Sequence, residues 1–463
     1  MSITVLLMMS EHDVIVVGAG PAGEVCAGRL AGEGLDVVLV ERELVGGECA
    51  YWACMPAKAL LRPAELLAEV RRVPGAREAV TRSLDPQTVL DRRDEVIHDL
   101  DDAGQLKWIE AKRIHLKRGQ ARLDGEREVV VCGERLRARR AVVVAVGSGA
   151  AVPPISGLAE IDLWTSREGT TSKAVPGRLL VLGGGVVGCE LAQAWATLGA
   201  EVTLIEAEGR LLPDEEPFAG DQVADSLAEI GVDVRHDATV QSAHREGRGI
   251  VLTLAGGEEL IGDELLVAVG RQPHTSDLGL ETVGLQAGEL IEVDERMRVP
   301  GRDWLFAIGD VNGRALLTHA AKYQARVAAA TIMNRDLRAW ADTSGPPRVV
   351  FTEPQVAAVG QTLAGALADG VQAHAVDAEI GRTPGASFVG KGARSSARIV
   401  IDRERDLMIG ATFTGPEVAD WLQAATIAIV AEVPRERLLH AIPPFPTRSE
   451  VWLALLDGWG ALG

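Results

Sequence analysis

Residues 46–58, GGECAYWACMPAK, hold two cysteines, Cys49 and Cys54, with four residues between them and Pro56 and Lys58 just behind. Such a pair can clip a metal, staple a loop or carry electrons. A zinc clip needs two further Cys or His ligands at workable spacing, and none stands nearby in the sequence. A staple across so short a loop constrains little of the unfolded chain. The redox reading has the better local support. Pro56 suits the first turn of a helix, and a thiol at a helix N-terminus with a lysine close behind is expected to have a lowered pKa and to react readily. Inert cysteines are the plain alternative, and no metal-ligand set is assigned.

The elements that must position this pair are announced by a repeat. Asp13–Glu41, DVIVVGAGPAGEVCAGRLAGEGLDVVLVE, aligns without a gap on Arg178–Glu206, RLLVLGGGVVGCELAQAWATLGAEVTLIE. Gly18, Gly20 and Gly23 fall on Gly183, Gly185 and Gly188, 165 positions on, and Glu41 falls on Glu206. Each copy reads strand, glycine turn, helix, strand, acid. The first glycine allows the tight turn, the second lets backbone approach a pyrophosphate, and the third lets helix pack on strand. The helix N-terminus offers free N–H groups to phosphates, and the acid suits a ribose 2′-OH. One such motif is a weak signal; two with identical internal spacing point to two dinucleotide sites. Glu206 would repel a 2′-phosphate, which favours NAD(H); Arg210, four residues on, keeps NADP(H) as the less favoured alternative.

The chain has 463 residues, more than one core supports, so several domains are expected. A net charge of −19 argues against a nucleic-acid partner and against an anionic membrane surface. No apolar run is long enough to span a bilayer. The opening MSITVLLMMS has no basic residue and makes a poor signal peptide, with Met8 or Met9 as alternative starts. Five cysteines do not make a secreted disulfide framework, so a cytoplasmic protein is expected. Apolar stretches end in Gly147, Gly270 and Gly309-Asp310. An acid just past a strand end suits a ligand hydroxyl, although Gly-Asp is also an ordinary turn. Residues 316–333 read as a helix with Thr318 near its start. From about 346 the pattern changes to an antiparallel sheet with helices and no glycine fingerprint.

Over nearly its whole length the chain resembles the flavoprotein disulfide reductases, such as dihydrolipoamide dehydrogenase, glutathione reductase and mercuric reductase. The resemblance implies an α/β fold of two Rossmann-like dinucleotide-binding domains plus an α+β C-terminal dimerisation domain. Residues 1–152 and 274–345 would form the FAD domain, 153–273 the NAD(P) domain and 346–463 the interface of a homodimer. Gly18, Gly20, Gly23 and Glu41 would hold the FAD pyrophosphate and ribose, and Asp310 the ribityl chain. Thr318, His319 and Ala320 would bring a helix N-terminus to the flavin pyrimidine edge. Gly183, Gly185, Gly188 and Glu206 would bind NAD, and Lys58 and Glu190 would pair beside flavin N5. Gly147, Gly270 and Gly309 join the cofactor-binding set. Cys49 and Cys54 match the redox cysteines, and the resemblance implies that NADH would reduce the flavin at N5, that the disulfide would then open at Cys54, and that Cys49 would be left to exchange with substrate.

Two departures stand out. The family's loop resembles GGTCLNVGCIPTK; here Glu48, Tyr51 and Ala53 replace Thr, Asn and Gly. Tyr51 and Trp52 suggest local packing first and a stacking surface for a flat substrate second. The family's C-terminal HAHPTxxE becomes PPFPTRSE, residues 443–450, which puts Phe445 where the acid–base histidine belongs. Glu450 is either a base or the partner of Thr447 in a capping box, and His440 a weak substitute. There is no C-terminal cysteine pair of the mercuric type. The reading is therefore an oxidoreductase of small disulfides or dithiols. A diaphorase-like reductase of quinones, metals or other acceptors, a thiol oxidase using O2 and a non-enzymatic flavin binder are its rivals.

Overall fold

The computed structural model describes residues 9–460; residues 1–8 of the opening segment weighed as a leader, Met8 included, lie outside them. The chain forms two compact units. One is built from residues up to Met55 with Asp94–Ala150 and Arg271–Thr343, the other from Pro56–Arg93, Ala151–Gly270 and Ser344 onward.

Each unit contains one copy of the repeat, folded the same way for the same reasons. An apolar strand (Ser10–Val17, rich in Val and Ile; Arg178–Leu182, rich in Leu) leads into a glycine at positive φ, 100° at Gly18 and 107° at Gly183. Residues with a Cβ resist that conformation. A twelve-residue helix follows, Pro21–Gly32 or Val186–Thr197. The second strand, Val37–Glu41 or Glu201–Ile205, returns parallel to the first. The registers agree: Val14 faces Val37 and Val17 faces Val40, while Leu179 faces Val202 and Leu182 faces Ile205. A Cβ on Gly23 would stand 1.8 Å from the Gly18 carbonyl oxygen, and one on Gly188 equally close to that of Gly183. Only glycine lets helix and turn approach so closely.

In the first unit the parallel strands run in the order His115–Arg118, Val37–Glu41, Ser10–Val17, Glu134–Val144, with Leu305–Ala307 on the far side of the last. Glu128–Val131 and Ala121–Leu123 extend the sheet as an antiparallel meander. Strands buried on both faces explain the unbroken Val and Ile runs; Val14, Ile15, Val16 and Leu39 are wholly enclosed. In the second unit a four-stranded parallel sheet, Asp233–Arg235, Glu201–Ile205, Arg178–Leu182 and Glu264–Val267, accompanies a small antiparallel sheet. The chain from Arg348 makes a five-stranded antiparallel sheet, packed by the helices Val418–Val430 and Val451–Gly460 around Phe413 and Trp459. The expected α/β architecture with an antiparallel third part is what the chain adopts. Among the described residues, no helix is long and apolar enough to cross a membrane.

Candidate active site

The first unit carries the cysteine pair. Gly46 and Gly47, both at positive φ, turn the chain into a short helix, Gly47–Tyr51, that holds Cys49. Cys54 opens the next helix, Cys54–Arg72. The two thiols are half-buried, and Cys54 lies close enough to act on the Cys49 thiol. Thr318, first residue of the helix Thr318–Ile332, sets its hydroxyl 3.5 Å from the Cys54 sulfur. Ala320 is buried behind it, while His319 is exposed. Tyr51 is buried and packs edge-on against the half-buried Trp52, with its hydroxyl directed at the Asp101 carbonyl.

The lowered pKa expected for a thiol at a helix N-terminus does not extend to Cys49, whose thiol is pushed up. The hydrogen bond with Cys54, burial and the charge of Cys54 push the Cys49 thiol up, against the Thr318 hydroxyl and the Lys322 ammonium. The reason is positional. The long helix starts at Cys54, so its N-terminal dipole favours charge on the second cysteine. The lysine whose charge favours a Cys49 thiolate is Lys322, one turn into the helix that Thr318 starts. Sequence reasoning missed it because only tertiary packing brings it there. Glu24 was missed for the same reason. Burial pushes its carboxyl up to about 7, with Lys322 opposing and Glu41 adding to the rise.

A cleft in the same unit is lined by Gly18, Glu41, Arg42, Gln120 and His274. The Glu41 carboxylate accepts the N–H groups of Ala19 at 2.7 Å and Glu43 at 2.8 Å, which fixes it at the strand end. A Cβ on Gly20 would meet nothing within 4 Å, so this glycine faces open space at the helix N-terminus, a cradle that fits a pyrophosphate. Asp310 follows the strand Leu305–Ala307 in a turn made by Gly309, whose φ is 76°. It accepts the Ser148 hydroxyl at 2.6 Å, and Arg271 stands 3.3 Å away and donates to Ser148 at 2.7 Å. Gly147, at φ 68°, turns the chain just before Ser148. Ser148 and Arg271 also escaped the sequence reading, although Arg271 directly follows the strand-ending Gly270.

The second unit carries the other dinucleotide-type turn. A Cβ on Gly185 again meets open space, and Glu206 accepts the N–H groups of Gly184 at 2.6 Å and Glu208 at 2.8 Å. The Arg210 guanidinium is tied to the carbonyls of Glu215 and Pro213 in its own loop. Lys58 donates to Glu190 at 2.6 Å, and the other Glu190 oxygen accepts the Phe351 N–H at 2.9 Å. Gly270 has φ 143°. Glu450 accepts the Thr447 N–H and closes a capping box at the start of the last helix. Phe445 is 76% exposed, and His440 is exposed just past the helix Arg435–Leu438.

Known proteins similar to the chain point to one family. The family described as pyridine nucleotide-disulphide oxidoreductase matches residues 12–325, and its dimerisation domain matches residues 346–455. A dihydrolipoyl dehydrogenase of Thermus scotoductus is 35% identical over 457 residues, 96% of each chain. A mercuric reductase of Acidithiobacillus ferrooxidans is 33% identical over 450 residues, 95% of this chain and 81% of its own. The Cu(II) complex of the HOCl-induced flavoprotein disulfide reductase RclA from Escherichia coli superposes with a TM-score of 0.85 at 25% identity, covering 97% of this chain and 99% of that one.

Proposed function

Because the chain belongs to the pyridine nucleotide-disulphide oxidoreductases, FAD-dependent enzymes that use NAD(P)H, we propose that it is an NADH-dependent flavoenzyme whose Cys49–Cys54 pair relays electrons to a small disulfide. The net reaction is NADH + H⁺ + RSSR giving NAD⁺ and two thiols. The observation that carries this reading is the half-buried pair of thiols beside Thr318, whose hydroxyl lies 3.5 Å from the Cys54 sulfur, with Cys54 opening a helix.

When bound, the flavin supplies the two-electron transfer between nicotinamide and sulfur. The chain does the rest. The turn Gly18–Gly20–Gly23 and Glu41 hold the adenosine and pyrophosphate side, and Asp310, braced by Ser148 and Arg271, takes a polyol hydroxyl. Gly147, Gly309, His319 and Ala320 shape the same domain. The helix dipole at Cys54 and the Thr318 hydroxyl stabilise a thiolate on the second cysteine, while Cys49 keeps its proton until it meets substrate. Glu190 holds Lys58 in one place. Gly183, Gly185, Gly188, Gly270 and Glu206 take NADH; an Arg210 occupied by its own loop supports NAD over NADP. Residues 1–152 and 274–345 act as FAD domain, 153–273 as NAD domain and 346–463 as the interface of a homodimer, with the exposed Ile442 and Phe445 turned to the partner subunit. The cysteine content supports a cytoplasmic setting.

Phe445 favours a second reading. A phenyl ring moves no proton, and the high Cys49 pKa leaves little thiolate at neutral pH, so an acceptor that needs no thiol exchange, a quinone or a metal ion, is the rival. The resemblance to a mercuric reductase supports it. Cys49→Ser separates the two. NADH-dependent reduction of lipoamide falls by at least about 100-fold under the disulfide reading. Undiminished lipoamide turnover in that variant overturns it, and quinone turnover as the sole activity establishes the rival.

A further inference from the structure

We propose that His12, Asp36 and His115 form a zinc-type divalent cation site at the N-terminal edge of the first unit's parallel sheet. The three residues sit at the starts of three neighbouring strands: His12 in Ser10–Val17, Asp36 just ahead of Val37–Glu41, and His115 opening His115–Arg118. Strand pairing fixes their adjacency, with Val14 opposite Val37 and Val38 opposite His115. His12 Nδ1 lies 3.1 Å from Asp36 Oδ2, and His115 Nε2 lies 3.3 Å from Asp36 Oδ1. All three ligand atoms fall within 4.8 Å of one another. Tetrahedral zinc with bonds of about 2.1 Å separates its ligand atoms by about 3.4 Å, so only small side-chain adjustments are needed.

Asp36 Oδ1 is buried and accepts no hydrogen bond despite the nearby imidazole. A buried carboxylate oxygen that makes no hydrogen bond costs stability, and a cation shared with the neighbouring imidazole would offset that cost. Asp36 is held in place from behind, since its backbone N–H donates to Asp13 at 3.0 Å and its backbone oxygen accepts from Asp13 at 2.9 Å. Arg139, 3.5 Å from Asp36 Oδ2, is the one opposing charge among the described contacts, and Asp13 engages it at 3.0 Å. His12 is mostly enclosed, whereas His115 is 66% exposed, so entry is open and water can complete the shell. Two imidazoles and a carboxylate with an open position suit Zn²⁺. The strands' other ends carry Gly18 and Glu41, so this site is distinct from the cofactor cleft, and the bound ion would clamp three strands together.

The test is equilibrium dialysis of the air-oxidised holoenzyme against micromolar ZnCl₂, followed by elemental analysis. The wild type and a Cys49→Ser/Cys54→Ser variant both retain about one zinc per chain, as a site of this ligand number should. His115→Ala loses at least about tenfold in zinc affinity, oxidises NADH as before and no longer shows a zinc-dependent rise in melting temperature. Zinc retained undiminished by His115→Ala, zinc lost with the cysteines, or no zinc in the wild type overturns the proposal.

Discussion

Removing the Glu190 carboxylate probes how the second unit holds a charged lysine. In the Lys58–Glu190 pair the acid side chain is 3% exposed and the lysine 34%. One Glu190 oxygen accepts from Lys58 at 2.6 Å and the other from the Phe351 N–H at 2.9 Å. Glu190→Leu deletes two hydrogen bonds to an ionised carboxylate, each worth about 1.5–3 kcal/mol before the relief of desolvating that buried charge is set against them. It also strands the ammonium. A fully buried pair broken this way loses about 3–5 kcal/mol, but Lys58 reaches water over a third of its side chain, and its place 4.8 Å over the Phe351 ring softens the loss. The expected cost is therefore about 3 kcal/mol. Glu190→Gln keeps an acceptor for Phe351 and should lose about half as much. Lys58→Met/Glu190→Leu removes the stranded charge and should recover at least about 1 kcal/mol relative to Glu190→Leu. Urea unfolding followed by tryptophan fluorescence reads all three, since the wholly buried Trp195 lies on the same helix as Glu190. A double variant no more stable than Glu190→Leu, or a Glu190→Leu within about 0.5 kcal/mol of wild type, refutes the argument.

Three further outcomes follow from the same geometry. Gly20→Ala leaves the apoprotein within about 1 kcal/mol of wild type but weakens FAD binding. Gly23→Ala, whose Cβ would strike the Gly18 carbonyl, loses about 1–3 kcal/mol or more; equal melting temperatures for the two apoproteins contradict this. In the reduced enzyme, alkylation of Cys49 by iodoacetamide rises about tenfold per pH unit from 7 to 9, because a thiol with a raised pKa stays protonated through that range; a plateau below pH 8 contradicts the direction of the shift. Phe445→His raises NADH-dependent lipoamide reduction by about 10²–10⁴-fold with little change in quinone reduction, and no gain means that position 445 is not where a proton is needed.

The sequence is most legible where function depends on local backbone. The glycine triplets declared themselves by spacing, because Gly18, Gly23 and their repeats answer to steric demands within one turn. The helix begun by Thr318 and the antiparallel sheet after Arg348 were likewise visible in apolar periodicity. What stayed hidden is held by packing between distant segments. Ser148 and Arg271 brace Asp310 from two strands far apart in the chain. Lys322 acts on Cys49 only because its helix lies against the cysteine loop. The rise at Cys49 was hidden for a related reason: a helix start was readable, but which cysteine sits at it depends on where the turn at Trp52 places each thiol. His12, Asp36 and His115 meet only through strand order.

The most direct test of the central claim is an anaerobic titration of the purified flavoenzyme with NADH, followed by absorbance. The account predicts uptake of two hydride equivalents per flavin, one for the Cys49–Cys54 disulfide and one for the flavin, with a long-wavelength thiolate–flavin band after the first. Uptake that stops at one equivalent with simple bleaching contradicts it, because the cysteine pair would then carry no electrons.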